Sequence, residues 1–169
     1  MTKFKPFTTT LIGSLPRTKE LLLLKESSNN SSKYEKAYKE KLLEETRRVV
    51  ELQKECGIDV IVSGELNRDN YMSYVAEVVD GIKLLNMEEV MSLTNNTDNF
   101  SKSLEEMDAA DDTMNSPICF SKLDTKKRLN NFEFGILKEL VDGDIKCTLP
   151  SPYLLTRSMW LKEVTGKVY

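Results

Sequence analysis

Gly57-Ile58-Asp59-Val60-Ile61-Val62-Ser63-Gly64-Glu65 is the stretch whose reading decides the fold. Ile58, Val60, Ile61 and Val62 crowd apolar β-branched side chains into five positions, as in a short strand covered on both faces. A long helical pattern leads into it. Over Lys33–Cys56 the residues Tyr34, Ala37, Tyr38, Leu42, Val49, Leu52 and Cys56 recur near the 3.6-residue period as an apolar stripe. Lys39, Glu40, Glu44, Glu45, Arg47 and Arg48 supply its solvated face. Gly57 is placed to end that helix in the left-handed conformation.

The same alternation extends outward. Upstream, Thr8-Thr9-Thr10-Leu11-Ile12 reads as a strand that runs into a tight loop at Gly13-Ser14. Pro16 sits near the start of a short helix, with Thr18 as N-cap before Lys19–Glu26, and Ser27–Ser32 reads as a polar loop. Downstream, Asn67–Val79 looks helical, Asp80-Gly81 breaks it, and Ile82–Leu85 is a short extended piece. Two weakly amphipathic helices are expected at Met87–Leu93 and Phe100–Met107, with Asn95–Asn99 as a polar loop between them. Pro117–Phe120 reads as a strand, Asn130–Val141 as a helix, Ile145–Leu149 as a strand stopped by Pro150 and Pro152, and Tyr153–Val164 as a final helix.

This order predicts an α/β fold of about four parallel βα units with right-handed crossovers. Two architectures satisfy it: a small doubly wound sheet, or the N-terminal half of a (β/α)8 TIM barrel. No G-x-G-x-x-G or Walker loop favours the first. The expected organisation is one partial-barrel domain over residues 1–169, with 86–116 as a helical and loop insertion.

Composition narrows the chemistry. The chain has 169 residues, 24 basic and 27 acidic side chains and no histidine. A Ser-His-Asp triad, a Cys-His pair and an H-E-x-x-H zinc site are thereby excluded from it. A net charge of −3 argues against nucleic acid as a partner. Cys56, Cys119 and Cys147 form neither a disulfide framework nor a metal knuckle and read as buried thiols. The N-terminus lacks the apolar core of a signal peptide, and no run approaches a membrane span. The setting expected is cytoplasmic, without membrane contact.

In either architecture ligands bind at the carboxyl ends of the parallel strands. Two polar clusters fall there. Gly13 lets the backbone approach a ligand, and free N–H groups with the Ser14 hydroxyl suit a carboxylate. Glu65, followed by Asn67, Arg68, Asp69 and Asn70, suits an ammonium group. The plainer alternative makes Ser14 a helix-entry residue and Glu65-x-x-Arg68 a local ion pair. Asp108, Asp111 and Asp112 read as a solvated acidic run, Lys122, Lys126, Lys127 and Arg128 as a solvated basic turn, and Trp160 as a packing residue.

The stretches Thr8–Pro16, Gly57–Glu65 with Arg68 through Gly81, and Ile145–Met159 resemble the catalytic domain of the cobalamin-independent methionine synthase family. An Ile-Gly-Ser loop joined to Gly-Glu-x-x-Arg-x-x-x-x-x-Tyr-x-x-Glu-x-x-Asp-Gly carries the resemblance. The Asn86–Asn115 segment matches poorly. The resemblance implies the N-terminal half of a (β/α)8 barrel whose parent moves a methyl group to the thiol of homocysteine or a similar thiol. It implies that Ile12, Gly13, Ser14 and Glu65 hold the amino-acid end of homocysteine, with Arg68 and Asn70 in support. It also implies a folate methyl donor and a zinc ion held by a histidine, two cysteines and a glutamate from the second half of the barrel. None of those ligands has a counterpart here, and no residue of this chain is assigned as a catalytic group or metal ligand. The family's Ser-Arg pair near the folate aligns near Asp111-Asp112, with the charge reversed, and its pterin-stacking tryptophan aligns nearer Ser158 than Trp160. The expected partners are a second metal-bearing half-barrel or a second copy of the chain. The alternative function is a non-catalytic half-barrel module that assembles with either.

Overall fold

The computed structural model describes residues 4–94, 115–124, 129 and 131–169. They form two compact units: Met1–Asn67 with Asn130–Thr148, and Arg68–Leu129 with Leu149–Tyr169.

The first unit holds the parallel sheet. Helix α1 (Lys19–Asn30) starts where Thr18 Oγ1 accepts from Leu21 N, as its N-cap role requires. It runs past the expected end at Glu26 to Asn30, the Ser27 and Ser28 hydroxyls donating back to the carbonyls of Leu23 and Lys25. Ser27–Asn30 are therefore helical rather than loop. Helix α2 (Glu35–Glu55) ends at Gly57, whose φ of 72° is the left-handed stop expected of it.

The buried face of α2 keeps only part of the apolar stripe, Leu42 and Val49 with Tyr38 half-buried beside them. Leu42, Glu45, Thr46, Val49, Val50 and Gln53 are buried, whereas Tyr34, Leu52 and Cys56 are exposed. Polar partners elsewhere in the unit explain the shift. Glu45 accepts from Thr18 Oγ1 and Arg48 Nε, each at 3.0 Å, and lies 3.5 Å from Lys41 Nζ. Burial pushes its carboxyl up, but the Arg48 and Thr18 hydrogen bonds outweigh that and hold it below the usual range. Gln53 acts as a strand neighbour: Nε2 donates to Val49 O and Val62 O, and Oε1 accepts from Val62 N at 3.0 Å.

Strand β1 (Ile61–Val62) pairs in parallel with a later strand, Ile145–Lys146 (β4 below), placing Ile61 opposite Ile145 and Val62 opposite Lys146. On its other side Thr10 bridges Val60 in parallel. Asp59 fastens this first segment, its carboxylate accepting from both Thr9 N and Thr9 Oγ1 at 2.8 Å. Helix α4 (Asn131–Leu140) supplies the crossover before β4. The core has two parts. Leu21, Leu42, Val49 and Leu66 form one, and Val50, Ile61, Leu137 and Val141 the other, so α2 serves both with adjacent residues.

The second unit is an antiparallel excursion. After a 3₁₀ turn at Ser73–Glu77, β2 (Asp80–Leu85) pairs antiparallel with β3 (Ser116–Asp124), from Asp80 opposite Asp124 to Leu85 opposite Ser116. The expectation of Pro117–Phe120 as a parallel barrel strand is thus overturned. Only the first part of β3 is buried and Ser121–Asp124 is exposed, unlike a strand covered on both faces. Gly81, at φ 93°, takes the bulge, where a Cβ would lie 2.8 Å from the carbonyls of Ser121 and Lys122. The expected helix at Asn67–Val79 shrinks to that 3₁₀ turn, because Asn70 Oδ1 captures Met72 N and Ser73 N.

Helix α3 (Met87–Leu93) matches its expected span and carries a capping box between Asn86 and Glu89. Helix α5 (Pro152–Met159) stops short of Val164. Thr165 Oγ1 accepts from Leu161 N and donates to Cys119 O, closing a separate turn. Tyr74, Val75, Ile82, Cys119 and Met159 form one apolar cluster here, and Val90, Ile118 and Leu161 another. The expected Phe100–Met107 helix, the Asn95–Asn99 loop, Asp108, Asp111 and Asp112, and Lys126–Arg128 lie outside the described residues. No described helix is long and apolar enough to cross a membrane.

Candidate functional site

The three parallel segments end on the same rim, because parallel strands carry their carboxyl ends together. These ends are Leu11–Ser14 after the first segment, Ser63–Glu65 after β1, and Cys147-Thr148 after β4. All belong to the first unit.

Gly13 and Glu65 meet there. A Cβ on Gly13 would lie 2.6 Å from Glu65 Oε1, 3.2 Å from its Cδ and 3.2 Å from Thr148 Cγ2. The glycine is thus required by close approach: the carboxylate occupies the space that any side chain at position 13 would take. The two loops are joined by Leu15 N donating to Gly64 O at 2.9 Å. Gly64 is also short of space, since its Cβ would lie 3.2 Å from Leu15 and 3.3 Å from Val49 Cγ1.

Glu65 is 5 % exposed and has a φ of 55°, directly after Gly64 at 77°. Two successive left-handed residues turn the chain so that the glutamate faces back over the first loop. For a residue with a Cβ this conformation costs roughly 1–2 kcal/mol. Glu65 N donates to Ser63 Oγ at 3.2 Å, and Thr148 Oγ1 donates to Glu65 Oε1. Lys146 Nζ donates to Leu11 O, fixing the chain just before Ile12.

At the loop itself Leu15 N is committed, and among the described residues the N–H groups of Gly13 and Ser14 reach no protein acceptor. Ser14 is exposed, as is the Ile12 side chain at 94 %. A buried carboxylate therefore sits beside two uncommitted backbone donors and a hydroxyl. That pattern suits a zwitterion, with its ammonium toward Glu65 and its carboxylate toward the loop amides.

Arg68 and Asn70 fall in the second unit. Arg68 is buried, with its guanidinium 4.1 Å from the centre of the Tyr74 ring, and Asn70 caps the turn described above while Nδ2 donates to Asn115 O. Both have evident structural work there. Thr148 is the residue that sequence reasoning missed. It lies in the expected strand Ile145–Leu149, and its place at that strand's carboxyl end was the available signal.

Among the described residues no three His, Cys, Asp or Glu side chains come together as metal ligands, and the sequence has no histidine. These residues do not supply the donor set implied for zinc, so no metal-dependent step is assigned to them. Cys56 is exposed rather than buried, Cys119 is buried, and Cys147 is intermediate.

Residues 7–138 match the protein family described as cobalamin-independent synthase, catalytic domain. Among curated proteins, a 5-methyltetrahydropteroyltriglutamate–homocysteine methyltransferase of Coxiella burnetii is 36 % identical over 78 residues, which is 46 % of this chain and 10 % of that protein. Proteins of the same name from Dictyostelium discoideum and Thermodesulfovibrio yellowstonii are 36 % identical over 75 residues and 35 % over 82, covering 9 % and 11 % of their own lengths. The match thus spans about a tenth of these relatives. Among solved structures, a B12-independent methionine synthase from Shewanella sp. W3-18-1 in complex with selenomethionine superposes with a TM-score of 0.54 at 16 % identity, over 90 % of this chain and 40 % of that one. The fold is therefore that of part of a TIM barrel.

Proposed function

Since the chain belongs to the cobalamin-independent synthase catalytic-domain family, we propose that it carries the amino-acid clamp of an S-methyltransferase acting on homocysteine or a similar thiol. The observation that supports this reading most is the Glu65 carboxylate packed over Gly13, beside the amides of Gly13 and Ser14. Glu65 accepts the substrate ammonium. The Gly13 and Ser14 N–H groups and the Ser14 hydroxyl hold the α-carboxylate, and Ile12 borders the loop. The clamp leaves the thiol end free to point away from the loop. In the parent reaction a sulfur–carbon bond forms at that thiol as the donor's bond to the same methyl breaks. The names of the relatives supply the donor proposed for the parent, a methylated folate.

The neighbour's coverage of 40 % supports a further part of this proposal, that the metal-bearing half of the barrel is a separate partner or a continuation of the chain. A homodimer that only assembles half-barrels is the alternative, and co-expression with a metal-bearing half followed by size-exclusion chromatography separates the two.

The clamp is tested by calorimetric titration of the full chain with L-homocysteine, 4-mercaptobutanoate, which lacks the amino group, and 3-mercaptopropylamine, which lacks the carboxylate. Homocysteine is expected to bind tightest. Glu65→Ala should weaken it by roughly 10- to 100-fold, the worth of a hydrogen bond to a charged group, and leave 4-mercaptobutanoate unaffected. Equal affinity for all three ligands in the native chain would refute the assignment.

A further inference from the structure

We propose that Thr148 is the positioning residue of the clamp, holding the Glu65 carboxylate in the orientation that receives the substrate ammonium. This deepens the reading above and rests on it. Two contacts of one short side chain carry the inference. Its hydroxyl donates to Glu65 Oε1, and its methyl lies 3.2 Å from the point where a Cβ on Gly13 would sit. Threonine is branched at Cβ, so a single χ1 value sets both contacts together.

Glu65 needs such a partner. Its backbone already holds a left-handed conformation, it is 5 % exposed, and its Oε1 fills the space where a Cβ on Gly13 would sit. Lys146, two residues earlier in the chain, holds Leu11 O at the base of the first loop. The third parallel segment thus fastens both halves of the clamp: the loop through Lys146 and the carboxylate through Thr148.

The test separates positioning from packing. Thr148→Val keeps the shape and removes the hydroxyl, whereas Thr148→Ser keeps the hydroxyl and removes the methyl. The readout is the ratio of affinities for L-homocysteine and 4-mercaptobutanoate, with thermal unfolding as a control for folding. Thr148→Val should lower the ratio at least several-fold by weakening homocysteine alone, and Thr148→Ser should restore it. In the Glu65→Ala background, Thr148→Val should add nothing further to the ratio.

A ratio that Glu65→Ala collapses and Thr148→Val leaves intact would overturn the role of Thr148 alone. A ratio that Glu65→Ala leaves intact would overturn the clamp itself and this inference with it. If the valine variant does not fold, Thr148→Ala with Thr148→Ser as its control answers the same question.

Discussion

Gly13→Ala places one methyl group where the structure has none to spare. The new Cβ would lie 2.6 Å from Glu65 Oε1, and 3.2 Å from both Glu65 Cδ and Thr148 Cγ2. Something must move by the better part of an ångström. Two responses are open, and each has a cost. If the carboxylate swings away, it gives up the Thr148 hydroxyl, a charge-assisted hydrogen bond worth about 1.5–3 kcal/mol. If the first loop backs off, it strains Leu15 N on Gly64 O and Lys146 on Leu11 O, and overpacking of this kind costs about 1–3 kcal/mol. A destabilisation of about 1–3 kcal/mol is therefore expected, with loss of homocysteine binding. Urea titration followed by circular dichroism measures the first and calorimetry the second. Gly57→Ala is the control: it meets nothing within 4 Å and tests only the cost of a Cβ at φ 72°, so it should spare binding. A Gly13→Ala chain that binds homocysteine as the native chain does would refute the close-approach argument.

Gln53→Leu removes the amide that receives Val62 N and donates to Val62 O, inside a core where Gln53 is 2 % exposed; it should cost about 2–4 kcal/mol by urea titration. A loss under half a kcal/mol would show that water replaces the amide. For Asp59, the backbone and hydroxyl hydrogen bonds from Thr9 hold the carboxyl below its usual range. Its stabilising effect is therefore present above the unfolded pKa of about 4 and is lost as pH falls through the lower folded value. Asp59→Asn should flatten the fall of the thermal midpoint below about pH 4, and an unchanged slope would remove Asp59 from the acid response. Iodoacetamide should label exposed Cys56 first and Cys119 last, since burial both shields the Cys119 thiol and pushes its pKa up; peptide mass spectrometry showing equal rates would contradict this.

The residues that the sequence made legible are those whose neighbours in the chain decide their state. Thr18 caps α1 and Gly57 ends α2 through contacts within one turn. Ile61 and Val62 are buried because a run of β-branched residues has few other uses. Reading failed where a distant polar partner decided the outcome. Glu45 looked solvated by its charge, yet Thr18, 27 residues away, and Arg48 bring it into the buried face of α2. Gln53 gives no local sign of its role, yet it pairs with Val62 as a strand would. Pro117–Phe120 has the right composition for a parallel strand. Only the polar residues behind it, Ser121, Lys122 and Asp124, signalled that the strand continues into solvent against β2.

The departures from local rules point to the site by a route independent of any relative. Buried polar groups such as Thr46 and Gln53 have an internal purpose: their hydrogen bonds complete backbone groups of α2 and β1. Glu65 differs from them. It holds a left-handed backbone despite its Cβ, is buried, and places its carboxylate where a methyl group on Gly13 would lie. Each feature alone lowers stability. Their convergence on one side chain, at the carboxyl ends of three parallel segments, is what a fold selected for stability alone would avoid and a binding site requires. All the residues involved belong to the first unit, contributed by the chain on either side of residues 68–129. The Asn86–Asn115 segment, which matches the family poorly, contributes none of these residues.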